Sequence, residues 1–185
     1  MSFAFTSCVQ SRAALRRRKR SIRASRATRA TQVEPLEDRR LLSVTNGSFE
    51  GGLAGWTTEV PVDGFAQTVS SYTSQPSGAI VYGPRHGDAF AQMKTDGARS
   101  YTTVTQPVEV VAGDKVSGWA FFDTTDYSPF ADNAQVYIRQ ADGAGPVIAT
   151  VFDESVASVG SYGETSWRFW EYTFPEAARL PSRRG

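Results

Sequence analysis

From residue 46 to residue 174 the chain consists of short β-branched and aromatic runs, broken every few positions by Gly, Asp, Asn, Ser or Pro. No stretch sustains apolar residues at helical spacing, so helix content is expected to be low. Strand-length runs with turn chemistry between them point to an antiparallel sandwich or barrel rather than to βαβ units. The runs are residues 65–70, 79–82, 89–95, 101–111, 115–123, 134–140, 147–153 and 166–174. Ala134, Val136 and Ile138 alternate with Gln135, Tyr137 and Arg139, the period of a strand buried on one face. Residues 141–145 supply turn residues for a hairpin into the next run, and Pro107 marks an edge or a bulge. Asn46-Gly47-Ser48-Phe49-Glu50-Gly51-Gly52-Leu53-Ala54-Gly55-Trp56 reads as the first strand and first corner. Phe49 and Trp56 are its expected core anchors.

Charge divides the chain where the strand pattern begins. Residues 1–45 carry eleven Lys/Arg against three acidic residues, and residues 46–174 carry six against fifteen. The formal net charge of +1 therefore averages a basic arm and an acidic body. The body is long enough to bury one core. Cys8 is the single cysteine, so no disulfide forms within the chain. No run of 18 apolar residues is present, so no helical membrane span is expected.

The arm, with its unbroken basic run Arg16-Arg17-Arg18-Lys19-Arg20, has too little apolar surface to offset the entropy of ordering and is expected to be disordered in isolation. Three roles fit it: a phosphate-binding tail, the basic start of an export signal, or a solvated extension. No aromatic residue interleaves the arginines, which argues against a nucleic-acid role. Val33-Glu34-Pro35-Leu36-Glu37-Asp38-Arg39-Arg40-Leu41-Leu42-Ser43 resembles the LEPR-XLL segment near the N-termini of large exported bacterial proteins. The resemblance implies that residues 1–45 address the chain to export machinery and that the chain is exported to the cell surface or beyond. The apolar segment Leu41-Leu42-Ser43-Val44 is much shorter than that of an ordinary secretory signal.

A second resemblance covers the body. Asn46-Gly47-Ser48-Phe49-Glu50 followed by Gly55-Trp56 is similar to the opening of galactose-binding-like jelly rolls, which include many carbohydrate-binding modules. Gln106-Pro107-Val108 before Ala112-Gly113-Asp114, Asp132-Asn133-Ala134-Gln135-Val136, and residues 159–167 resemble pieces of related surface domains. The expectation is an all-β fold, a jelly-roll-like antiparallel β-sandwich over residues 46–174, preceded by the disordered basic arm and followed by an unstructured tail at 175–185. Folds of this kind continue past the Trp-rich strand with strands that lie beside the first and close the sandwich. Residues 175–185 have no strand pattern, so a truncated or frame-shifted sandwich with open edges at the Phe49 strand is expected.

The residues offer little for catalysis. His86 is the only histidine and sits among turn residues, no Gly-x-Ser-x-Gly elbow occurs, and Cys8 lies outside the body. Asp123, Asp126, Asp132, Asp153 and Glu154 are carboxylates of the kind a glycosidase uses in pairs, but such residues in loops also simply form turns. No enzyme activity is expected. Ca²⁺ takes six to eight oxygens from carboxylates and carbonyls and suits the rim of a β-sandwich. Resemblance to the carbohydrate-binding jelly rolls implies Glu50 as a ligand, and Asp132 follows from its place opening a strand after the aspartate-rich loop 123–132. The alternative for both is turn capping. Exposed aromatics that stack on a pyranose face would bind glycan; Trp119, Tyr127, Trp167 and Trp170 are the candidates, with core packing the competing role for each tryptophan. In residues 166–174, Trp167 and Phe169 share one face and Trp170, Tyr172 and Phe174 the other. The sequence thus predicts a non-catalytic exported module that binds carbohydrate or another extracellular partner. The rivals are a structural spacer without a ligand, a fragment of a larger exported protein, a carbohydrate-active enzyme and a nucleic-acid-binding arm.

Overall fold

The computed structural model describes residues 44–95, 100–140 and 145–175, together with the backbone of Ser2–Ser7. The basic run, Cys8, the LEPR-XLL-like segment, the 141–144 turn and residues 176–185 lie outside the described residues. Within them the chain is all-β and its strand pairs are antiparallel. The strands are β1 (Ser2–Ser7), β2 (Thr57–Glu59), β3 (Phe65–Val69), β4 (Tyr72–Thr73), β5 (Val81–Tyr82), β6 (Phe90–Lys94), β7 (Thr103–Thr105), β8 (Lys115–Asp123), β9 (Asn133–Arg139), β10 (Val147–Ser155) and β11 (Arg168–Thr173). One helical turn, α1 (Val156–Val159), follows β10.

Five strands form the main sheet in the order β11-β8-β1-β6-β3, and β9–β10, β2–β7 and β4–β5 form two-stranded ribbons. β8 centres the core because its side chains alternate between two buried clusters. Ala120 and Phe122 join Met93 of β6, Trp170 of β11, and Ala134 and Phe152 of the β9–β10 ribbon. Phe121 joins Phe90 of β6 and Tyr82 of β5, with Val69, Tyr72 and Trp167 packed against them. The sheet is therefore covered by the β9–β10 ribbon on one face and in part by the β4–β5 ribbon on the other. β9 has the expected alternation: Ala134 is buried, Val136 packs on the core, and exposed Gln135 donates from Nε2 to Asp153 Oδ1 on β10 at 3.0 Å. Two register shifts in β10, between Val147 and Ala149 and between Thr150 and Phe152, bend the ribbon.

Two expectations need correction. Residues 46–56 form a succession of turns and no strand. The Asn46 side chain is the cause. Its Nδ2 donates to the carbonyls of Gly52 and Ala54 at 2.8 and 3.0 Å, and its Oδ1 accepts from the Gly51 N–H at 3.0 Å. A side chain that satisfies the local backbone in this way competes with a strand ladder. Phe49 is nonetheless a core anchor, fully buried and stacked on Trp56 with ring centroids 5.1 Å apart.

The expected strand over 101–111 shrinks to Thr103–Thr105, which pairs with Thr57–Glu59. The Gln106 side chain ends it by clamping the turn stretch: Nε2 donates to the Thr45 and Gly55 carbonyls at 3.0 and 2.7 Å. Pro107 then offers no N–H to continue the ladder. Ser2–Ser7 is paired on both sides within the main sheet.

Candidate functional site

β8 ends at Asp123, and the chain then leaves the sheet through a loop carrying Thr124, Asp126, Tyr127 and Phe130 before it opens β9. Alongside lies the connection from α1 to β11, with Ser161, Tyr162 and Gly163 at its bend. Backbone bonds hold the two loops together. The Tyr162 N–H donates to the Asp126 carbonyl at 2.8 Å and the Thr124 N–H to the Gly163 carbonyl at 3.0 Å. The Ser128 N–H reaches Ser161 Oγ at 3.1 Å. Tyr162 takes a positive φ of 56° to turn its side chain out of this seam.

Three aromatic rings result at one rim. Tyr127 stacks on Tyr162 with centroids 5.7 Å apart and meets Phe130 edge to face at 5.2 Å. Their residues are 46 %, 56 % and 53 % exposed for Tyr127, Tyr162 and Phe130. Large aromatics held rigidly in water, with carboxylates and hydroxyls beside them, form an amphipathic surface suited to stacking and hydrogen bonding.

Asp132 lies at the base of the same loop. Its Oδ2 accepts from Thr124 Oγ1 at 3.0 Å, and Thr124 Oγ1 in turn accepts from the Asp126 N–H at 3.0 Å. Burial raises the Asp132 pKa above the usual carboxylate range, and the neighbouring Asp126 carboxylate adds to the rise. A half-buried carboxylate with a second beside it and a hydroxyl within reach is an oxygen donor set that fits a hard cation. Glu50 fits less well. Its Oε1 already accepts from the N–H groups of Asp88 and Ala89 at 2.8 and 3.3 Å, which are donors and not cation ligands. Among the described residues no group of three or more His, Cys, Asp or Glu gathers to hold a metal ion.

Beneath the rim a buried polar network fixes the α1–β11 connection to the β4–β5 ribbon. Asp123, 1 % exposed, accepts from Tyr72 Oη at 2.7 Å and faces Glu164 across an isolated β-bridge. Ser74 Oγ donates to Glu164 Oε2, as does Ser77 Oγ at 3.1 Å. Tyr82 Oη donates to the Thr165 carbonyl at 2.6 Å. Burial pushes the Asp123 carboxyl up, and burial with the nearby Glu164 and Asp123 charges pushes the Tyr82 phenol well above its ordinary value.

The predicted tryptophans do not gather at this rim. Trp170 is 5 % exposed and belongs to the core on the β9–β10 face, where it offers no ring to a ligand. Trp167 is half-buried against Phe121 and Phe90, with centroids 4.7 and 5.5 Å away, and its Nε1 donates to the Gly83 carbonyl at 3.1 Å. It lines an open cleft of about 450 Å³ with Tyr82, Pro84 and Arg85. Trp119 meets the exposed Phe169 edge to face at 5.2 Å, but the Arg85 guanidinium lies over its ring at 4.2 Å. Of the four aromatic candidates only Tyr127 sits at the rim. Phe130 and Tyr162 were not singled out from the sequence; each follows a turn residue, at Pro129 and Ser161, the one signal that marks a loop aromatic.

No protein-family model matches the chain, and no curated protein or solved structure matches it significantly. No helix among the described residues is long and apolar enough to cross a membrane.

Proposed function

We propose that this chain is a non-catalytic module of the cell surface or extracellular space whose body binds carbohydrate at the Tyr127–Phe130–Tyr162 rim. The observation that carries the reading is the exposure of these three mutually packed rings on two loops bonded to each other. A pyranose presents an apolar C–H face to such a ring, and Asp126, Ser161 and the Tyr127 and Tyr162 hydroxyls are the polar groups of the same loops. Ca²⁺ enters this reading as a structural ion at Asp132, with Asp126 and the Thr124 hydroxyl beside it. The LEPR-XLL-like segment supports export, and the aromatic opening of the body supports kinship with carbohydrate-binding jelly rolls.

A glycan array probed with the full chain, with and without Ca²⁺, tests the proposal. Retention of one glycan class that falls at least tenfold in Tyr127→Ala and Tyr162→Ala is the expected result. No retained glycan from a chain whose circular dichroism remains strand-like overturns it in favour of a spacer. Release of reducing sugar by the wild-type chain overturns the non-catalytic assignment.

A further inference from the structure

The main sheet has an unusual member at its middle. β1 is bonded on both sides, its Ser2, Phe3, Ala4 and Phe5 registered with Lys94, Met93, Gln92 and Ala91 of β6. On the other side Ser2 to Ser7 register with Asp123 back to Gly118 of β8. β6 and β8 touch as a sheet only through this strand. They are also the most buried strands of the domain, with Phe90 to Met93 and Ala120 to Asp123 all buried. Without an inserted strand, their facing backbone groups would have no ladder partners in the interior, the costliest place to leave them.

Neither neighbour of the inserted strand follows it directly in the sequence. Thirty-six residues separate Ser7 from Val44, where the body begins. A connection of that length spans more than about 100 Å when extended, several times the width of a domain this size. The register places Phe3 opposite Met93 and Phe122, and Phe5 opposite Ala91 and Ala120. These four register partners are buried, and any identical segment supplies the same backbone ladder between them equally well.

We infer that the space between β6 and β8 is an exchangeable strand-acceptor site, and that the partner it fits is the Ser2–Ser7 segment of a second copy of this chain. Two copies that trade the segment keep every ladder bond and every register described above, so the exchange costs little beyond association itself. The long connection removes the geometric barrier that a short hinge imposes. Protein concentration then decides between the closed monomer and the exchanged dimer. The inference does not depend on glycan binding.

The test uses two full-length populations in a Cys8→Ser background, one with Ser2→Cys and the other with Lys94→Cys. These positions are a register pair, and facing residues of antiparallel strands lie within disulfide range. After mixing and oxidation, a disulfide-linked heterodimer that increases with protein concentration is expected. Adding Ala4→Pro to the Ser2→Cys chain removes a ladder donor and is expected to reduce the product at least fivefold. If a single chain carrying both cysteines closes only on itself and the mixed populations never cross-link, the exchange is refuted. Absence of cross-links in both arrangements refutes the slot assignment. A wild-type chain that sediments as a monomer at every concentration overturns the proposal independently of how the cysteine variants fold.

Discussion

The Tyr72 hydroxyl donates to Asp123 Oδ2 at 2.7 Å, joining the β4–β5 ribbon to the end of β8. The Gln75 N–H supports the same oxygen at 3.3 Å, while Oδ1 has no hydrogen-bond partner among the described residues. Tyr72→Phe leaves a buried carboxylate with its weaker donor only, and a loss of about 1–3 kcal/mol is expected. The cost should shrink as the pH falls and Asp123, whose carboxyl is pushed above its ordinary value by burial, takes up a proton, because protonation removes the charge that the hydroxyl serves. Urea titrations of wild type and variant across a range of pH check this.

Asp132 gives a second pH dependence. Its folded pKa is raised, so the native state takes up a proton before the unfolded state does as the pH falls. Its stability contribution is fully present below the ordinary carboxylate pKa of about 3.9 and is lost as the pH rises through the raised folded value. Asp132→Asn is therefore expected to raise the melting temperature near neutrality and to flatten its dependence on pH across that window. If Ca²⁺ occupies the site, it stabilises the wild type and not the variant. Thermal scans from acid to neutral pH, with and without Ca²⁺, measure both effects.

Arg168 of β11 pairs with Glu154 of β10 and ties the main sheet to the ribbon that covers it. The Glu154 side chain is 7 % exposed and also accepts from Ser158 Oγ at 2.7 Å, whereas Arg168 is half in water. Arg168→Ala strands a buried charge, at an expected cost of about 1–3 kcal/mol, reduced from a fully buried pair by the exposure of the arginine. Combining it with Glu154→Gln should recover part of the loss, which a double-mutant cycle in denaturant reads directly.

Gly87 takes a φ of +67°, and a Cβ there would fall 2.0 Å from Glu50 Oε1. In Gly87→Ala the carboxylate must swing away from the Asp88 and Ala89 N–H groups while the backbone remains strained. A loss of about 1–2 kcal/mol is expected. Hydrogen exchange at Asp88 and Ala89 should accelerate in the same variant.

The sequence was most legible where side chains alternate between unlike environments. Lys115–Asp123 matches its expected span, and the β9 and β10 runs agree within two residues, because the period of two survives in them. Residues 46–56 misled because Asn46 bonds the local backbone, a contact no periodicity reveals. β2, β4 and β5 are two or three residues long and too short for any pattern. Ser2–Ser7 alternates Phe with small residues, but the charge of the residues after it obscured that signal. At the rim, Tyr127 was readable as a loop aromatic. The face parity of Trp167 and Trp170 was readable too; which face the ribbon would bury was not, because that depends on partners distant in sequence.

The order Trp119-Ala120-Phe121-Phe122 within β8 has a consequence for how the sheet finds its alignment. A slip of one residue toward the end of the strand would put Phe121 in the place of Phe122, and a ring of equal volume would oppose that error only weakly. The discriminating pair is Trp119 and Ala120, since the same slip would drive an indole into a space shaped for a single methyl. The methyl of Ala120 thus acts as the proofreader of β8, and enlarging it would spoil alignment before it spoiled hydrophobicity.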